Sequence, residues 1–278
     1  MTFTNINGNN IYYQYLDNQG DITFVFINSL GTDFRIWDGV VNILKHHGNI
    51  LRFDKAGHGL SDCGFSDWRL GIGDTEIESG MPPNQTSKIE NFANDVLGLM
   101  DFLNIQKAVI IGLSIGGIIA QYLAIYHAER IERLILSNTA PKVGSEEGWN
   151  TRIEIVKKDG IASIADNIMK VWFSENFRNN QKNALLGYKM MVSNINLQGY
   201  LQACEALKIN DLTNEITEIN APTLCIAGTE DGSTPPTQVK AMADLIPNST
   251  YILIENVGHI PCVEVPELMA KHILAFVK

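Results

Sequence analysis

Short apolar runs alternate with helical segments along most of this chain, and this alternation is the feature that most restricts its fold. After a predicted hairpin around Asn7-Gly8, apolar runs occupy residues 24–28, 50–53, 108–112, 133–137, 222–228 and 251–255, and helical spacing occupies residues 36–44, 87–103, 115–127, 236–246 and 265–277. Strands that alternate with helices pair in parallel through right-handed crossovers, and the helices cover both faces of the sheet. The sequence therefore predicts an α/β fold with a mostly parallel sheet.

Two stretches interrupt the alternation. Residues 63–86 contain glycines, prolines and acidic residues without a clear period, so they are predicted to form a long loop. Residues 145–210 show helical spacing only, which indicates a helical insertion between two strands of the sheet. We expect a core built from residues 1–140 and 213–278, with residues 141–212 forming a helical lid or cap.

Composition narrows the classes of partner. A formal net charge of −10 argues against nucleic acid or an anionic membrane, because both require concentrated lysine and arginine. No apolar run is long enough to span a bilayer, and the first residues show no secretory signal. The four cysteines fall in no metal-ligand or disulfide spacing, which favours reduced thiols and a cytoplasmic protein. We therefore expect a small-molecule substrate, and neither a metal nor an organic cofactor. The sequence does not indicate an oligomeric state.

A serine at the junction of a strand and a helix is the leading candidate for a nucleophile. Gly112-Leu113-Ser114-Ile115-Gly116 matches G-x-S-x-G after an apolar strand and before an amphipathic helix, which is the context in which this motif exposes a serine on a tight turn. The alternative is a serine packed in the core with its hydroxyl bonded to nearby backbone. The strand–turn–helix context favours the nucleophile.

A serine nucleophile requires a base, and the base requires an orienting acid. His259 follows the apolar run 251–255 at the carboxyl end of the predicted sheet, whereas the other histidines lie on helices or in a Gly-His-Gly turn. The acid should follow the run 222–228, where Glu230 and Asp231 are adjacent. We favour Asp231, which precedes a glycine turn, over Glu230. The order of serine, acid and histidine along the chain is the one that this motif requires.

Acyl transfer also requires donors for the oxyanion that develops in the transition state. One is the backbone N–H of Ile115, directly after the serine. The other should come from the loop after residues 24–28, where Leu30 N–H is the candidate.

These residues together resemble the α/β-hydrolase superfamily. The segments INSLGTDFRIW, LRFDKAGHGLSD, GLSIGG, SNTAPKVG, AGTEDGSTPP and VGHIPCVEVPE are similar to the 3-oxoadipate enol-lactonases of bacterial aromatic catabolism, and the likeness covers nearly the whole chain. The resemblance implies that Ser114, Asp231 and His259 are nucleophile, acid and base. It also implies a small lactone substrate that carries a carboxylate. The stretch from residue 63 to residue 86 is longer than this family leads us to expect.

A carboxylate on the substrate would require a local cation in a protein of net negative charge. Arg152, near Trp149 in the first predicted lid helix, is the leading candidate; Lys142 and Arg35 are the others. Trp149 and Trp172 are candidates for the pocket wall or for lid packing. The alternative activities are those of a carboxylesterase, a C–C bond hydrolase or a cofactor-free perhydrolase with the same triad. A ligand receptor with a hydrolase-like pocket is the alternative from another class.

Overall fold

The computed structural model describes residues 1–63 and 88–278. Eight strands form one sheet: β1 (Thr2–Ile6), β2 (Asn9–Leu16), β3 (Thr23–Ile27), β4 (Asn49–Phe53), β5 (Ala108–Leu113), β6 (Ile131–Ser137), β7 (Thr223–Gly228) and β8 (Ser249–Ile254). Their spatial order is β1-β2-β4-β3-β5-β6-β7-β8. β1 and β2 pair antiparallel, as do β2 and β4, whereas all the other neighbouring strands are parallel. The prediction of an α/β fold with a mostly parallel sheet is confirmed.

Eleven α-helices occur within the described residues. They are α1 (Asp38–Leu44), α2 (Ile89–Phe102), α3 (Ile115–Tyr126), α4 (Glu146–Asp159), α5 (Ala165–Trp172), α6 (Glu175–Asn180), α7 (Lys182–Ser193), α8 (Leu197–Ile209), α9 (Pro236–Leu245), α10 (Pro261–Glu264) and α11 (Pro266–Val277). Five of them, α4 to α8, lie in sequence between β6 and β7. The predicted loop at residues 63–86 falls almost wholly outside the described residues.

The opening hairpin follows from its turn residues. Asn7 and Gly8 both have positive φ, 51° and 88°, and a two-residue turn of this kind matches the twist of the strands that it joins. Asp95 of α2 accepts hydrogen bonds from the side chains of Asn7 and Asn9, at 3.2 and 2.9 Å. The hairpin is therefore fixed to the helix layer.

The centre of the sheet is covered on both faces. Every residue of β3, β5 and β7 is buried, although successive side chains of a strand point to opposite faces. α1 packs against α11, and α2 packs against α3. Within the described ranges, every helix is too short or too polar to traverse a bilayer. In such a sheet the carboxyl ends of the parallel strands share one edge, which is where ligands bind in open α/β sheets.

Candidate active site

Ser114 lies on a strained turn between β5 and α3. Its φ is +58° and its ψ is −121°, a conformation that a non-glycine residue adopts only when its surroundings enforce it. The turn is held by Ser114 N–H, which donates to Ser137 O at 3.1 Å, and by Thr139 Oγ1, which donates to Ser114 O at 2.7 Å. A Cβ at Gly116 would lie 2.2 Å from Ile27 O, so the turn can pack against the end of β3 only with glycine there. The serine remains 8% exposed.

The structure brings Asp231 and His259 together. His259 Nδ1 lies 2.8 Å from Asp231 Oδ2, and both side chains are almost completely buried. Burial by itself would raise the pKa of Asp231, but the charge of His259 and the hydrogen bonds to the carboxylate outweigh it, so the pKa lies below its ordinary value. The pair therefore stabilises the ionised carboxylate beside the imidazole.

Four further donors fix the Asp231 carboxylate. Asn138 Nδ2 donates to Oδ2 at 2.9 Å, as does Thr234 Oγ1 at 2.7 Å. The backbone N–H groups of Ser233 and Thr234 donate to Oδ1 at 2.7 and 3.0 Å. Glu230, the alternative acid, instead accepts from the N–H of Glu175 at the start of α6, at 2.8 Å. Of the two adjacent acids, only Asp231 contacts the imidazole.

His259 Nε2 is buried and has no hydrogen-bond partner among the described residues. Ser114 Oγ forms no hydrogen bond to it in this structure, although such contacts often tighten only when substrate is bound. A chain of contacts joins the two residues: Ser114 N–H bonds Ser137 O, Ser137 Oγ donates to Asn138 Oδ1, and Asn138 bonds Asp231. The imidazole therefore has one nitrogen without a partner, and its acid is linked to the serine turn through Ser137 and Asn138.

The end of α5 and the residues that follow it are bonded to the loops that carry Asp231 and His259. The N–H of His259 donates to Trp172 O at 2.7 Å, and Gly232 N–H donates to Val171 O at 3.3 Å. Glu264 links the same two regions, because its Oε1 accepts from Gly258 N–H at 2.9 Å and from Ser174 N–H at 3.2 Å. The helical insertion is therefore fixed to the acid loop and to the histidine loop by backbone hydrogen bonds.

One candidate oxyanion donor, Ile115, directly follows the serine, and the other, Leu30, lies in the loop after β3. Leu30 follows β3, whose end contacts Gly116, and Gly31 next to it has a φ of +74°, which turns the chain sharply. Ile115 is the first residue of α3. Neither N–H has an acceptor within the part of the chain that the structure describes. Unsatisfied buried N–H groups are rare, so both are available to a ligand.

The three candidate cations differ in their partners. Arg35 Nη2 lies 2.6 Å from Asp33, and Lys142 Nζ lies 2.9 Å from Asp211. Arg152 has no carboxylate within ion-pair distance among the described residues; its guanidinium lies 5.3 Å from the ring of Trp149. Of the three, Arg152 is therefore the cation that is free to bind an anion.

Tyr200 lies near both Arg152 and the loop that carries Leu30. Burial raises the pKa of Tyr200, and the nearby Arg152 guanidinium opposes this shift, although the geometry falls short of a hydrogen bond. A Cβ at Gly31 would lie 3.6 Å from the Tyr200 ring and 3.4 Å from that of Trp172. Trp172 therefore lies at the candidate site, whereas Trp149 is half-buried and donates through Nε1 to Val143 O at 2.8 Å.

Two site residues escaped the sequence analysis. They are Asn138 and Thr234, both of which donate to the Asp231 carboxylate. Asn138 follows β6, which neighbours β7, so its position at the carboxyl edge beside Asp231 was the available signal. A groove of about 890 Å³ lies elsewhere, between residues 33–38, residues 54–60 and α7, and none of the three candidate catalytic residues lines it. No group of three potential ligands arranged to hold a metal ion occurs in the described ranges.

Comparisons with known proteins show the family of this chain. The family model of the alpha/beta hydrolase fold matches residues 22–266. The chain is 33% identical to 3-oxoadipate enol-lactonase 1 of Acinetobacter baylyi, over 100% of this chain and 97% of that protein. It is 28% identical to 3-oxoadipate enol-lactonase 2 of the same organism, over 91% and 88%. The crystal structure of the enol-lactonase from Burkholderia xenovorans superposes with a TM-score of 0.89 at 32% identity, covering 99% of both chains. The chain therefore belongs to the α/β-hydrolase family.

Proposed function

We propose that this protein is a serine hydrolase that opens a small lactone carrying a carboxylate, and that its substrate is 3-oxoadipate enol-lactone, hydrolysed to 3-oxoadipate. The observation that carries the proposal is the buried pair of Asp231 and His259, in which Nε2 of the imidazole has no hydrogen-bond partner among the described residues. The names of the relatives support the choice of lactone.

Ser114 is the proposed nucleophile and His259 the proposed base. The imidazole Nε2 accepts the proton of Ser114 Oγ as this oxygen attacks the lactone carbonyl, and Asp231 stabilises the imidazolium that forms. The tetrahedral oxyanion lies against the N–H groups of Leu30 and Ile115. Its collapse breaks the ring C–O bond and expels an enolate, which takes up a proton and becomes a ketone. Because an enolate is a good leaving group, little acid catalysis is required.

A water molecule completes the reaction. His259 accepts a proton from the water, the hydroxide attacks the acyl-enzyme carbonyl, and the returning proton restores Ser114 as 3-oxoadipate departs. Ser114→Ala should lower kcat by about four to six orders of magnitude while the protein remains folded. Near-wild-type turnover by this variant would refute the assignment.

Arg152 is the proposed partner of the substrate carboxylate. A guanidinium can hold a carboxylate by two parallel hydrogen bonds, and Arg152 has no competing carboxylate among the described residues. Trp149 would support the guanidinium through its ring face. We propose that residues 141–212 form the lid over this site, and that the protein is cytoplasmic. Buried thiols at Cys204, Cys225 and Cys262 that form no disulfide are in keeping with that location.

Two substrates separate lactonase from general esterase activity. The enol-lactone carries a carboxylate, whereas 4-nitrophenyl acetate is uncharged, so Arg152→Met should raise KM for the lactone by about tenfold or more and leave KM for the acetate within twofold. Lys142→Met is the matched control, because its ammonium is already paired with Asp211. A higher kcat/KM for the acetate than for the lactone in the wild type would favour a carboxylesterase. Absence of multiple turnover on both would favour a ligand receptor.

A further inference from the structure

A buried lysine touches the loop that carries the proposed oxyanion donor. Lys55 follows β4 and is 1% exposed. Its Nζ donates a hydrogen bond to the backbone oxygen of Ser29 at 2.5 Å. Within the described residues, no carboxylate lies at ion-pair distance from this nitrogen. Burial of a cation without a counterion costs free energy, so a contribution to stability does not explain why a lysine is buried here.

The oxygen that Lys55 contacts belongs to the peptide unit that ends in Leu30 N–H. In a trans peptide the C=O and N–H groups lie in one plane and point in opposite directions. Ser29 O also accepts from Thr32 Oγ1 at 3.0 Å and from Thr32 N–H at 3.4 Å. Three donors thus fix the carbonyl end of this amide, and the N–H at its other end has no acceptor in the described part of the chain.

We propose that Lys55 is a positioning residue that orients and polarises the Ser29–Leu30 peptide, so that Leu30 N–H becomes a stronger oxyanion donor. The proposal rests on the serine-hydrolase function above, but not on the identity of the lactone. Positive charge at the carbonyl oxygen withdraws electron density through the amide and strengthens the N–H dipole in the direction of the reacting oxygen.

The separation of charges sets the size of the effect. The hydrogen bond to Ser29 O, the width of the amide and a normal hydrogen bond from Leu30 N–H place the ammonium about 7 Å from the oxyanion. At an effective dielectric constant of about 20, Coulomb's law gives transition-state stabilisation equivalent to roughly 50-fold in rate. An uncharged substrate carbonyl gains far less, so the effect falls on kcat rather than on KM.

The charge of Lys55 depends on its surroundings. Burial lowers its pKa well below the ordinary value of 10.5, while the neighbouring carboxylates of Asp54 and Asp33 oppose that shift. Among the residues that the structure describes, the other titratable or charged groups near the loop are Arg35, bonded to Asp33, together with His58 and Tyr200. The lysine should therefore lose its proton at a lower pH than a surface lysine does.

Two variants of groups on the same carbonyl test the proposal. Lys55→Met removes the charge and the donor but keeps an unbranched chain, whereas Thr32→Val removes one neutral donor to the same oxygen. With 4-nitrophenyl acetate, Lys55→Met should lower kcat by 10- to 100-fold with KM within twofold, and its melting temperature should be unchanged or higher. Thr32→Val should lower kcat by less than threefold.

Other outcomes refute the role of Lys55. A kcat of Lys55→Met within twofold of wild type, or a loss no larger than that of Thr32→Val, would show that the cation does not act through the amide. If Lys55→Met does not fold, the wild type decides: its kcat should fall at a pH below the 10.5 of an ordinary lysine, with the far-ultraviolet spectrum unchanged. A profile without such a fall up to pH 10.5 overturns the proposal.

The acetate keeps this test separate from the choice of substrate. A wild type that hydrolyses the acetate through Ser114 but not the enol-lactone contradicts the proposed lactone and leaves the comparison of Lys55→Met with Thr32→Val fully measurable. A wild type that hydrolyses neither compound contradicts the serine-hydrolase function and, with it, the role of Lys55.

Discussion

Replacing Asp231 by asparagine tests the proposed triad most directly, because each carboxylate oxygen accepts hydrogen bonds. Oδ2 accepts from His259, Asn138 and Thr234 Oγ1, and Oδ1 accepts from the N–H groups of Ser233 and Thr234. An asparagine NH₂ group must occupy one of these two positions. Directed at His259, it would favour the tautomer with the proton on Nε2, which cannot accept a proton from Ser114.

The expected loss follows from that tautomer and from the missing charge. Where the acid of such a triad becomes an amide, kcat falls by about 10⁴-fold, equivalent to about 5 kcal/mol of transition-state stabilisation. We expect a loss of this size for Asp231→Asn, with KM within about threefold. Glu230→Gln is the matched control, because Glu230 contacts Glu175 N–H and a glutamine oxygen can still accept that bond. The control should retain kcat within about twofold.

Steady-state kinetics on the enol-lactone and on 4-nitrophenyl acetate, at pH 6 to 9, would measure both variants. The reasoning is refuted if Asp231→Asn stays within tenfold of wild type, or if Glu230→Gln shows the larger loss. The pH dependence of the free energy of unfolding provides a second test of the same variant. The folded-state pKa of Asp231 is depressed below 3.8, so its ionisation stabilises the protein above that pH, and this contribution is lost as the pH falls through the folded-state pKa. The asparagine variant should therefore be less stable at pH 7 and approach wild type only in strong acid.

Three further predictions concern residues around the sheet. Burial raises the pKa of Asp95 to about 6, so the stability that its protonated form provides is complete below pH 3.8 and is lost as the pH rises through 6. In urea unfolding, the free energy of unfolding of wild type should therefore decline by up to about 3 kcal/mol over this range, and Asp95→Asn should lack that decline. An unchanged decline in the variant would contradict this origin. Gly199→Ala places a Cβ 2.3 Å from Gly57 Cα, in a contact between two backbones, and should lower the free energy of unfolding by more than about 2 kcal/mol. At Gly187 an added Cβ would have no described atom within 4 Å, so Gly187→Ala should raise the free energy of unfolding by up to about 1 kcal/mol. Equal effects of the two variants in thermal unfolding would refute the clash. Asn138→Ala removes one donor to the acid and should lower kcat by about tenfold without changing KM, and a change in KM alone would point to substrate contact instead.

The order of the elements and the position of the serine could be predicted from the sequence because both depend on local patterns. Six apolar runs became six strands of the sheet, and Asn7-Gly8 formed the expected hairpin turn. Ser114 lies on its turn because Gly112 and Gly116 flank it between a strand and a helix; a Cβ at Gly112 would lie 2.2 Å from Gly116 O. Such preferences act over a few residues, so a single sequence displays them.

The partners of those residues are decided at long range. Glu230 and Asp231 are adjacent and equally acidic, yet only Asp231 contacts His259, because the direction of each side chain after β7 is set by the turn and by the neighbouring loops. The sequence favoured Arg152 as the cation but left Arg35 and Lys142 as alternatives, and the structure pairs each of these two with an aspartate. Composition does not reveal such competition for charge.

By itself, the sequence determined an α/β fold with a serine presented at the carboxyl edge of the sheet. This was possible because the spacing of apolar residues and the residue preferences of turns depend on neighbouring residues. Only the tertiary structure decided that Asn138 bonds Asp231 and that Lys55 is buried against the carbonyl of Ser29. Asn138 and Asp231 are 93 positions apart in the sequence, and Lys55 and Ser29 are 26 apart. Both contacts depend on the order in which the strands are placed side by side, and that order follows from the packing of the whole sheet and its helices.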